Sequence, residues 1–324
     1  MDKLIERESA IRTPLVAAPA LAVQFFLIPL IVVGVAVALY VGFRALLADD
    51  RAPQDYLSEV RNGGTERRWP AAYELSRLMA DPKVRADRSL APALVSAFEA
   101  AKNDDPRVRR YLALAIGRLD PPLPANAVAD LTSSLDDPPG ACPAWYEWSR
   151  APDCSPEAHS AARISTIWAL GSSGDESVVP KLMPLLESSD AGIRKMVVYA
   201  LGALPGDAQL ATLKTALQDA AADVRWNAAV ALARHGNHDG VAVLKQMIDR
   251  AYVEQAVPRE VRQDEDQDPI ADVMISGIRA GAALKDEALR LAIERLSETD
   301  RSLKVRQAAL EGLKVLGAQK MQLF

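Results

Sequence analysis

Residue types that serve catalysis and metal binding are scarce in this sequence. Only three of the 324 residues are histidines, and only two are cysteines. The chain also lacks a Gly-rich phosphate loop, a G-x-S-x-G nucleophile elbow and an H-E-x-x-H motif. Because these patterns mark common phosphate-binding, hydrolase and metalloprotease sites, their absence predicts a protein that is not an enzyme and holds no cofactor or metal.

A basic surplus and strand-forming runs are also missing. The chain carries 38 basic and 43 acidic side chains, a net charge of −5 at pH 7, whereas a nucleic-acid-binding protein needs basic residues to neutralise phosphates. After residue 50 there are no long runs of Val, Ile and Thr with period-two alternation, and aromatic residues make up only 5% of the chain. The acidic balance therefore predicts a protein that does not bind nucleic acid. Helix formers dominate the composition, which predicts an all-α protein.

One long apolar run lies near the start of the sequence, from residue 15 to residue 47. Its core, residues 23–47, carries a single charge, at Arg44. These 25 residues would span about 37 Å as a helix, and the hydrocarbon core of a bilayer is about 30 Å thick. The run therefore predicts a transmembrane helix, kinked at Pro29. A cleaved signal peptide is the alternative, but its apolar region is only about 7–15 residues long.

The basic residues beside this run predict its orientation. Lys and Arg near the ends of a membrane helix stay preferentially on the inner side. Lys3, Arg7 and Arg12 precede the run, whereas Arg51 follows it and Arg44 lies at its edge. We therefore predict a single-pass protein of a bacterial-type cell membrane, with the larger domain on the outer, periplasmic side. Further basic residues follow slightly later in the chain, at Arg61, Arg67 and Arg68. Because of them, the opposite orientation stays open.

A repeated pattern is the most informative feature of the larger domain. Five segments share an arginine followed by apolar residues at helical spacing, and several end in A-L-G or a variant of it. Arg163, Arg194 and Arg225 are each 31 residues apart, a spacing that unrelated segments rarely repeat. The segments are VRRYLALAIGRL from Val108, ARISTIWALGSSG from Ala162, IRKMVVYALGAL from Ile193, VRWNAAVALARHG from Val224 and VRQAALEGLKVLG from Val305.

Two longer gaps between the repeated arginines fit the same period with an insertion in each. Arg109 and Arg163 are 54 residues apart, one period plus 23. Arg225 and Arg306 are 81 residues apart, two periods plus 19. The resulting boundaries are a tail of residues 1–14, an anchor of residues 15–47 and a repeat domain of residues 48–324 with insertions at 137–157 and 252–268.

Each repeat predicts two helices joined by a short turn. In the best-preserved repeat, Gly202 and Pro205 end the second helix, as a C-terminal glycine and a following proline do. Trp69, Trp168 and Trp226 fall on second helices and predict packing in or near the core. Because such a pair buries its apolar face only against its neighbours, the repeats predict an α-solenoid of about seven helix pairs. The predicted pairs are 53–62 with 66–80, 89–102 with 106–119, 124–135 with 158–171, 177–187 with 192–204, 208–218 with 223–235, 239–251 with 270–283 and 286–297 with 303–317.

The pattern D-x-x-[apolar]-R-x-x-A-x-x-A-L-G resembles HEAT repeats, and the short period is similar to the HEAT-like repeats first named in phycobilin lyases. The resemblance covers residues 53–317. It implies a superhelix with a groove lined by second helices. It also implies a ladder in which the turn aspartate and the second-helix arginine bridge neighbouring repeats. Asp105 with Arg109 and Asp190 with Arg194 fit that spacing, whereas the repeats beside the insertions depart from it.

The resemblance also implies a protein that binds other proteins. We expect a membrane-anchored scaffold or adaptor that assembles a membrane-associated complex, contacts lipid through residues 15–47 and takes no small-molecule substrate. Candidate partner-binding residues are the repeated arginines Arg109, Arg194, Arg225 and Arg306. A lyase-type enzyme, or a chaperone acting on a protein-bound cofactor, is the alternative, because some short HEAT-like proteins attach bilins.

The first insertion holds both cysteines and a cluster of aromatic residues. Cys142 and Cys154 predict either a disulfide in an oxidising compartment or two unrelated thiols in a reducing one. Trp145, Tyr146 and Trp148 lie between them, and large aromatic side chains are favoured as binding anchors. These three residues predict either a contact with a partner or a cover folded back onto the solenoid's own groove.

Two polar groups resemble metal sites without completing one. His235 and His238 fall in a turn between helices, with no third ligand at a fitting spacing. Asp264, Asp266 and Asp268 alternate as in a calcium loop but lack its central glycine and terminal glutamate. We interpret the first group as a solvated turn and the second as part of a charged insertion.

Overall fold

All regular secondary structure in the described part of the chain is helical, as the composition predicts. Two compact units divide the chain, Met1–Ala52 and Pro53–Phe324. The computed structural model describes residues 27–47, 51–87, 89–102, 104–136, 155–258 and 268–317.

The first unit contains helix α1, which spans Ile28–Leu47. The structure describes the side chains of this helix as far as residue 42. The apolar ones among them are exposed; Leu30 and Leu39 are each 68% exposed. Within the residues that the structure describes, no helix is both long enough and apolar enough to cross a membrane. The predicted anchor of residues 15–47 lies partly outside the described residues and stays a prediction.

The second unit is built from helix pairs that follow the predicted repeat frame. All seven predicted pairs are present, and most helix ends agree within three residues. The pairs are α2 (Pro53–Asn62) with α3 (Thr65–Leu78), followed by the short α4 (Pro82–Arg85); α5 (Leu90–Ala100) with α6 (Pro106–Ile116); α7 (Ala125–Ser133) with α8 (Pro156–Gly171); α9 (Val179–Leu182) with α10 (Ala191–Ala203); α11 (Leu210–Ala216) with α12 (Ala222–Arg234); α13 (Val241–Met247), followed by α14 (Arg250–Ala256), with α15 (Pro269–Leu284); and α16 (Glu287–Thr299) with α17 (Leu303–Gly317).

Aspartate side chains begin several of the second helices. Asp105 Oδ1 accepts a hydrogen bond from the backbone N–H of Arg107 at 2.9 Å, and Asp190 Oδ1 accepts one from Gly192 at 2.7 Å. Asp268 does the same for α15. Because the first turn of a helix leaves its N–H groups without intrahelical partners, each such cap stabilises the helix start by about 1 kcal/mol.

The second helices form one continuous layer in the second unit. Each packs on the next, in the order α3, α6, α8, α10, α12, α15 and α17, and first helices such as α5, α11 and α16 pack on their own second helices. One apolar core runs between the two sets of helices from Tyr56 to Ala309. Trp226 is buried in this core, and Trp69 and Trp168 pack against it while partly exposed, as predicted. This arrangement is the stacking expected of an α-solenoid.

Glycine–alanine contacts bring part of this layer very close together. Gly117, Gly171 and Gly202 hold the same place in three successive repeats, eight residues after the repeated arginine. A Cβ at Gly202 would lie 2.4 Å from the Cβ of the alanine opposite. Backbones can meet this closely only where the side chain is a hydrogen atom, which explains the A-L-G ending of the repeat. The alanines opposite these glycines are Ala169, Ala200 and Ala231, whose Cα atoms would lie 2.8, 2.7 and 2.8 Å from an added Cβ.

The first helix of the fourth repeat is less regular than predicted. The expected helix 177–187 is α-helical only over Val179–Leu182, and 3-10 turns flank it at Glu176–Val178 and Met183–Glu187. Two prolines, Pro180 and Pro184, explain the difference. A proline has no N–H, so it cannot make the hydrogen bond to the fourth preceding carbonyl.

The first helix of the sixth repeat is divided in two. The expected helix 239–251 ends as α13 at Met247, and a separate helix, α14, begins at Arg250. Asp249 caps α14 by accepting hydrogen bonds from the N–H groups of Ala251 and Tyr252, at 3.0 and 3.3 Å. The start of the predicted insertion at 252–268 is therefore helical.

Candidate functional site

One face of the second helices points away from the core. On α12, Val224, Ala228 and Leu232 are completely buried. At about 100° per residue, Asp223 and Val230 lie on the opposite side of the same helix. We call the surface made by such positions the second-helix face. It corresponds to the groove that the HEAT resemblance implies.

A cavity of about 700 Å³ lies on the second-helix face. Most of its lining comes from α10, α12 and α15, and Met247 of α13 and residues 256–258 at the end of α14 contribute the rest. The volume falls within the range of about 300–1,000 Å³ that is usual for ligand sites. The residues that line it are Lys195, Tyr199, Ala221, Ala222, Asp223, Trp226, Asn227, Val230, Arg234, Met247, Ala256, Val257, Pro258, Pro269, Asp272, Val273 and Ser276.

The charges that line the cavity are balanced. Lys195 Nζ lies 3.4 Å from Asp223 Oδ2. The guanidinium of Arg234 lies over the ring of Tyr199, 5.3 Å from its centroid, and Asp272 supplies the second carboxylate. With two cations and two carboxylates, the cavity has no net charge with which to select an acidic or a basic ligand. Selectivity must come from shape and from its apolar and aromatic walls.

Trp226 gives the cavity an unused hydrogen-bond donor. The residue is 6% exposed, and its buried Nε1 has no acceptor among the described residues. A buried N–H without an acceptor costs about 1–3 kcal/mol. Since Trp226 lines the cavity, a ligand carbonyl that reached this N–H would remove that cost.

Aromatic rings and arginines form a second feature, on α3 and α6. The rings of Trp69 and Tyr111 are stacked with centroids 6.5 Å apart, and Tyr73 meets Tyr111 edge-on at 5.1 Å. Counted from the repeated arginine, Arg110 holds the same place as Trp226, so this cluster also lies on the second-helix face. We call it the arginine–aromatic patch; its members are Trp69, Tyr73, Arg77, Arg107, Arg110 and Tyr111.

Each arginine of the patch lies over a ring of the patch. The guanidinium carbon is 4.7 Å from the Trp69 centroid for Arg107, 5.4 Å from that of Tyr111 for Arg110, and 5.8 Å from that of Tyr73 for Arg77. Such cation–π contacts each contribute about 0.5–1 kcal/mol at exposed sites. They hold the guanidinium groups in place without neutralising their charge.

The repeated arginines connect neighbouring repeats. Arg194 Nε and Nη2 donate to the two carboxylate oxygens of Asp219, in the turn of the next repeat, at 2.8 and 2.9 Å. Its Nη1 donates to the carbonyl oxygen of Ser188 at 2.8 Å. Hydrogen bonds from Arg194 hold the pKa of Asp219 below its ordinary value, although burial acts in the opposite direction. A link of the predicted kind is therefore present at this junction, but its aspartate is Asp219 and not the Asp190 that the spacing predicts.

The ladder uses other residues at other junctions. Arg68 Nη2 lies 2.5 Å from Asp104 Oδ2, and Arg250 of α14 donates to both oxygens of Asp300 at 2.9 and 2.6 Å. Asp190 accepts a hydrogen bond from the hydroxyl of Ser160 on the preceding second helix, and this bond lowers its pKa. Each link joins a helix of one repeat to the turn of a later one.

The predicted partner-binding arginines lie in the structure as follows. Arg194 and Arg225 are half-buried, and Arg225 Nη2 lies 3.2 Å from the hydroxyl of Tyr252. The guanidinium of Arg109 lies 4.9 Å from the ring centroid of Phe98, and Arg306 is half-buried on α17. These contacts are internal to the protein, and partner binding through the four arginines stays a prediction. The other predicted site residues, Cys142, Trp145, Tyr146, Trp148 and Cys154, lie outside the described residues.

The histidines of the predicted solvated turn make structural contacts. His235 Nε2 lies 3.4 Å from the carbonyl oxygen of Leu201, and His238 Nδ1 lies 3.1 Å from Asp286 Oδ2. Asp268 caps α15, whereas Asp264 and Asp266 are outside the described residues. Among the residues that the structure describes, no group of three or more His, Cys, Asp or Glu side chains could hold a metal ion.

Sequence reasoning missed the cavity and the patch, although the repeat frame contained a signal for both. The position five residues after the repeated arginine is Trp168, Tyr199 or Val230 in successive repeats. The position directly after it is Arg110 in one repeat and Trp226 in another. Large side chains at these positions therefore indicated the second-helix face, although Trp226 itself is buried.

A comparison with known families agrees with this architecture. Residues 155–225 match the family of HEAT repeats, and this segment includes α8, α10 and the start of α12. No curated protein matches the chain. The match supports a HEAT-repeat protein, and such repeats generally mediate protein–protein contacts. The similarity to the phycobilin-lyase subtype stays a prediction.

Proposed function

We propose that this protein is a membrane-anchored scaffold that binds an extended segment of a partner protein on the second-helix face of its repeats. The observation that carries the proposal is the cavity between α10, α12 and α15. The similarity of residues 155–225 to HEAT repeats supports protein binding in general.

The walls of the cavity favour a peptide over a charged small molecule. Tyr199 and Trp226 supply flat aromatic surface, and Val230 and Val273 add aliphatic surface. Aromatic residues are over-represented among the side chains that contribute most to protein–protein binding. The Nε1 donor of Trp226 suits a main-chain carbonyl, which every peptide provides.

We propose that residues 15–47 hold the repeats at a membrane. The support is the length and apolarity of this run in the sequence, together with the exposure of apolar side chains such as Leu30 and Leu39 on α1. The basic residues before the run favour a repeat domain on the outer side of a bacterial-type membrane. An oxidising compartment there would permit a disulfide between Cys142 and Cys154.

Site-specific photo-crosslinking of the full chain in its membrane tests the binding proposal. A photoreactive amino acid at Ser276, exposed on α15 in the cavity, should form an adduct with a partner protein. The same residue at Ala211, exposed on the first helix α11, is the matched control and should form none. The substitution Val230→Arg should remove the Ser276 adduct while leaving the helical circular dichroism unchanged. Equal adducts at Ser276 and Ala211 would contradict the proposal.

Thiol labelling in intact cells tests the proposed membrane side. A membrane-impermeant maleimide should label Cys142 and Cys154 only after reduction, which would place a disulfide-bonded repeat domain outside the membrane. Labelling that needs cell lysis but no reductant would place the repeats inside and refute both the orientation and the disulfide.

A further inference from the structure

We propose that the arginine–aromatic patch on α3 and α6 binds an acidic peptide segment of a partner protein. This inference rests on the proposed function, because it assigns a partner chemistry to a second place on the second-helix face. The patch and the cavity lie on different helices, so a partner can be tested at each place separately.

Positive charge in the patch exceeds the negative charge that faces it. Arg77 pairs with Glu74 at 3.0 Å, and Arg107 pairs with Asp105 at 2.6 Å. Within the described residues, Arg110 and the adjacent Arg118 have no carboxylate partner. Arg118 donates instead to the carbonyl oxygen of Ser76 on α3. Among the described residues, two positive charges are therefore without a carboxylate partner, in a protein whose net charge is −5.

A third acidic side chain near these helices, besides Glu74 and Asp105, is already engaged. Asp104, in the turn before α6, lies 2.5 Å from Arg68 Nη2, and its side chain is only 8% exposed. It is therefore held by a different arginine of α3. An anion that neutralises Arg110 has to come from outside the described residues.

Contact with the ring of Tyr111 leaves the N–H groups of Arg110 available to a planar acceptor. A guanidinium that lies over a ring uses its face for that contact and keeps the N–H groups at its edge for hydrogen bonds. Carboxylates accept such edge N–H groups in pairs, with matched geometry. Because the rings of Trp69, Tyr73 and Tyr111 also support one another, the arginines lose little additional conformational freedom when a ligand binds.

The patch is both accessible and incompletely hydrogen-bonded. Tyr73 is 39% exposed and the side chain of Arg77 is 62% exposed, so a ligand can reach the outer part of the patch. Further in, the buried Nε of Arg110 has no acceptor among the described residues. An entering carboxylate that satisfied this group would recover the free energy that the unpaired N–H costs.

A carboxylate peptide fits the patch better than a nucleic acid or a membrane surface. Binding to nucleic acid or to anionic lipid depends on many basic residues spread along a surface. Here, within the described part of the chain, two arginines of this region, Arg110 and Arg118, lack a carboxylate partner, and three aromatic rings lie beside them. Tyr, Trp and Arg are over-represented at protein-binding hot spots, and clusters of arginines recognise acidic peptide motifs.

The test uses the full chain in detergent and a fluorescein-labelled oligoglutamate peptide, whose binding is followed by fluorescence anisotropy. The unmodified protein should bind this peptide, should not bind oligolysine, and should bind more weakly as salt is added. The double substitution Arg77→Gln/Arg110→Gln should raise the dissociation constant about tenfold or more. Arg77→Lys/Arg110→Lys should weaken binding less, because lysine keeps the charge but not the planar pair of donors.

The matched control removes two arginines from a first helix far along the chain. Arg290→Gln/Arg295→Gln on α16 changes the net charge equally and should leave oligoglutamate binding unchanged, with the helical circular dichroism of both double variants retained. Equal weakening by both would refute the proposal, since it would show a general charge effect. Binding of anionic phosphatidylglycerol vesicles through Arg77 and Arg110, without oligoglutamate binding, would also refute it.

The crosslink at Ser276 separates this inference from the proposed function. An adduct that persists in a protein unable to bind oligoglutamate would refute the acidic-peptide site alone. The absence of any adduct in a protein that binds oligoglutamate through Arg77 and Arg110 would refute the cavity proposal and leave the patch supported.

Discussion

Two junctions in the layer of second helices share one repeat frame but differ in how tightly they close. Between α10 and α12, Gly202 lies against Ala231, and no side chain separates the two backbones. Between α12 and α15, the place of that glycine is taken by Ala233, and the cavity opens there. The open junction thus differs from the closed one by one additional methyl group and by the inserted helix α14, and it contains a space of the size of a ligand.

The ladder differs at the same two junctions. At the closed one, Arg194 reaches the carboxylate of Asp219 with two short hydrogen bonds. At the open one, Arg225 meets the hydroxyl of Tyr252, a neutral group on α14, at 3.2 Å. The junction beside the insertion therefore has a contact with a neutral group in place of an ionic link, and we expect it to be the less stable of the two.

The largest expected effect is at the closed junction. Gly202→Ala adds a Cβ that would lie 2.4 Å from the Cβ of Ala231, so the helices must separate or bend. Overpacking of this kind should lower the free energy of unfolding by about 3 kcal/mol. The urea midpoint of the full chain in detergent, followed by circular dichroism, measures it. Gly317→Ala, where an added Cβ meets nothing within 4 Å, is the control and should change the midpoint little.

Removal of the ionic link should have the next largest effect. Arg194→Ala leaves the carboxylate of Asp219, whose side chain is only 13% exposed, without its charged partner. We expect a loss of about 2 kcal/mol, measured by the same urea midpoint. Arg225→Ala at the open junction should lower the midpoint less. An equal loss for both would show that the two junctions do not differ electrostatically.

Acid should weaken the closed junction selectively. Asp219 has a lowered pKa in the folded protein, so its contribution to stability is present above the unfolded value of about 3.9 and is lost as pH falls toward the lowered folded value. The stability difference between the unmodified protein and Asp219→Asn should therefore be constant above about pH 5 and shrink below about pH 4. Urea midpoints at several pH values measure the difference. A difference that stayed constant down to pH 3 would contradict this assignment.

The helix pairs were predictable because the repeat supplies the same local information several times. The 31-residue spacing of Arg163, Arg194 and Arg225 determines where each pair begins, and caps such as Asp190 set the helix starts. The prolines at 180 and 184 were visible too, yet their effect on helix type depends on how the neighbouring repeats hold the chain.

The ladder partners, the patch and the cavity were not predictable in the same way. Arg194 and Asp219 are 25 residues apart, and the spacing between the repeated arginine and its partner changes at the insertion. The ring contacts of Trp69 with Tyr111 and of Tyr73 with Tyr111 join two separate helices, so they depend on the angle at which those helices stack. Sequence periodicity gives the face of each helix but not that angle.

The smallest expected effect is at the open junction, where Tyr252→Phe removes only a hydroxyl. Arg225 Nη1 keeps its hydrogen bonds to the carbonyl oxygens of Asp219 and Ala220, at 2.7 and 3.0 Å, so the guanidinium does not lose its other partners. We expect a loss of about 0.5–1 kcal/mol in the urea midpoint analysis. Because the contact with Tyr252 contains no carboxylate, this loss should be the same at pH 3 and pH 7, unlike that of Asp219→Asn. If Tyr252→Phe lowered the free energy of unfolding as much as Arg194→Ala does, α14 would stabilise the layer of second helices as strongly as the ionic ladder does. The junction beside the cavity would then be as stable as the closed junction.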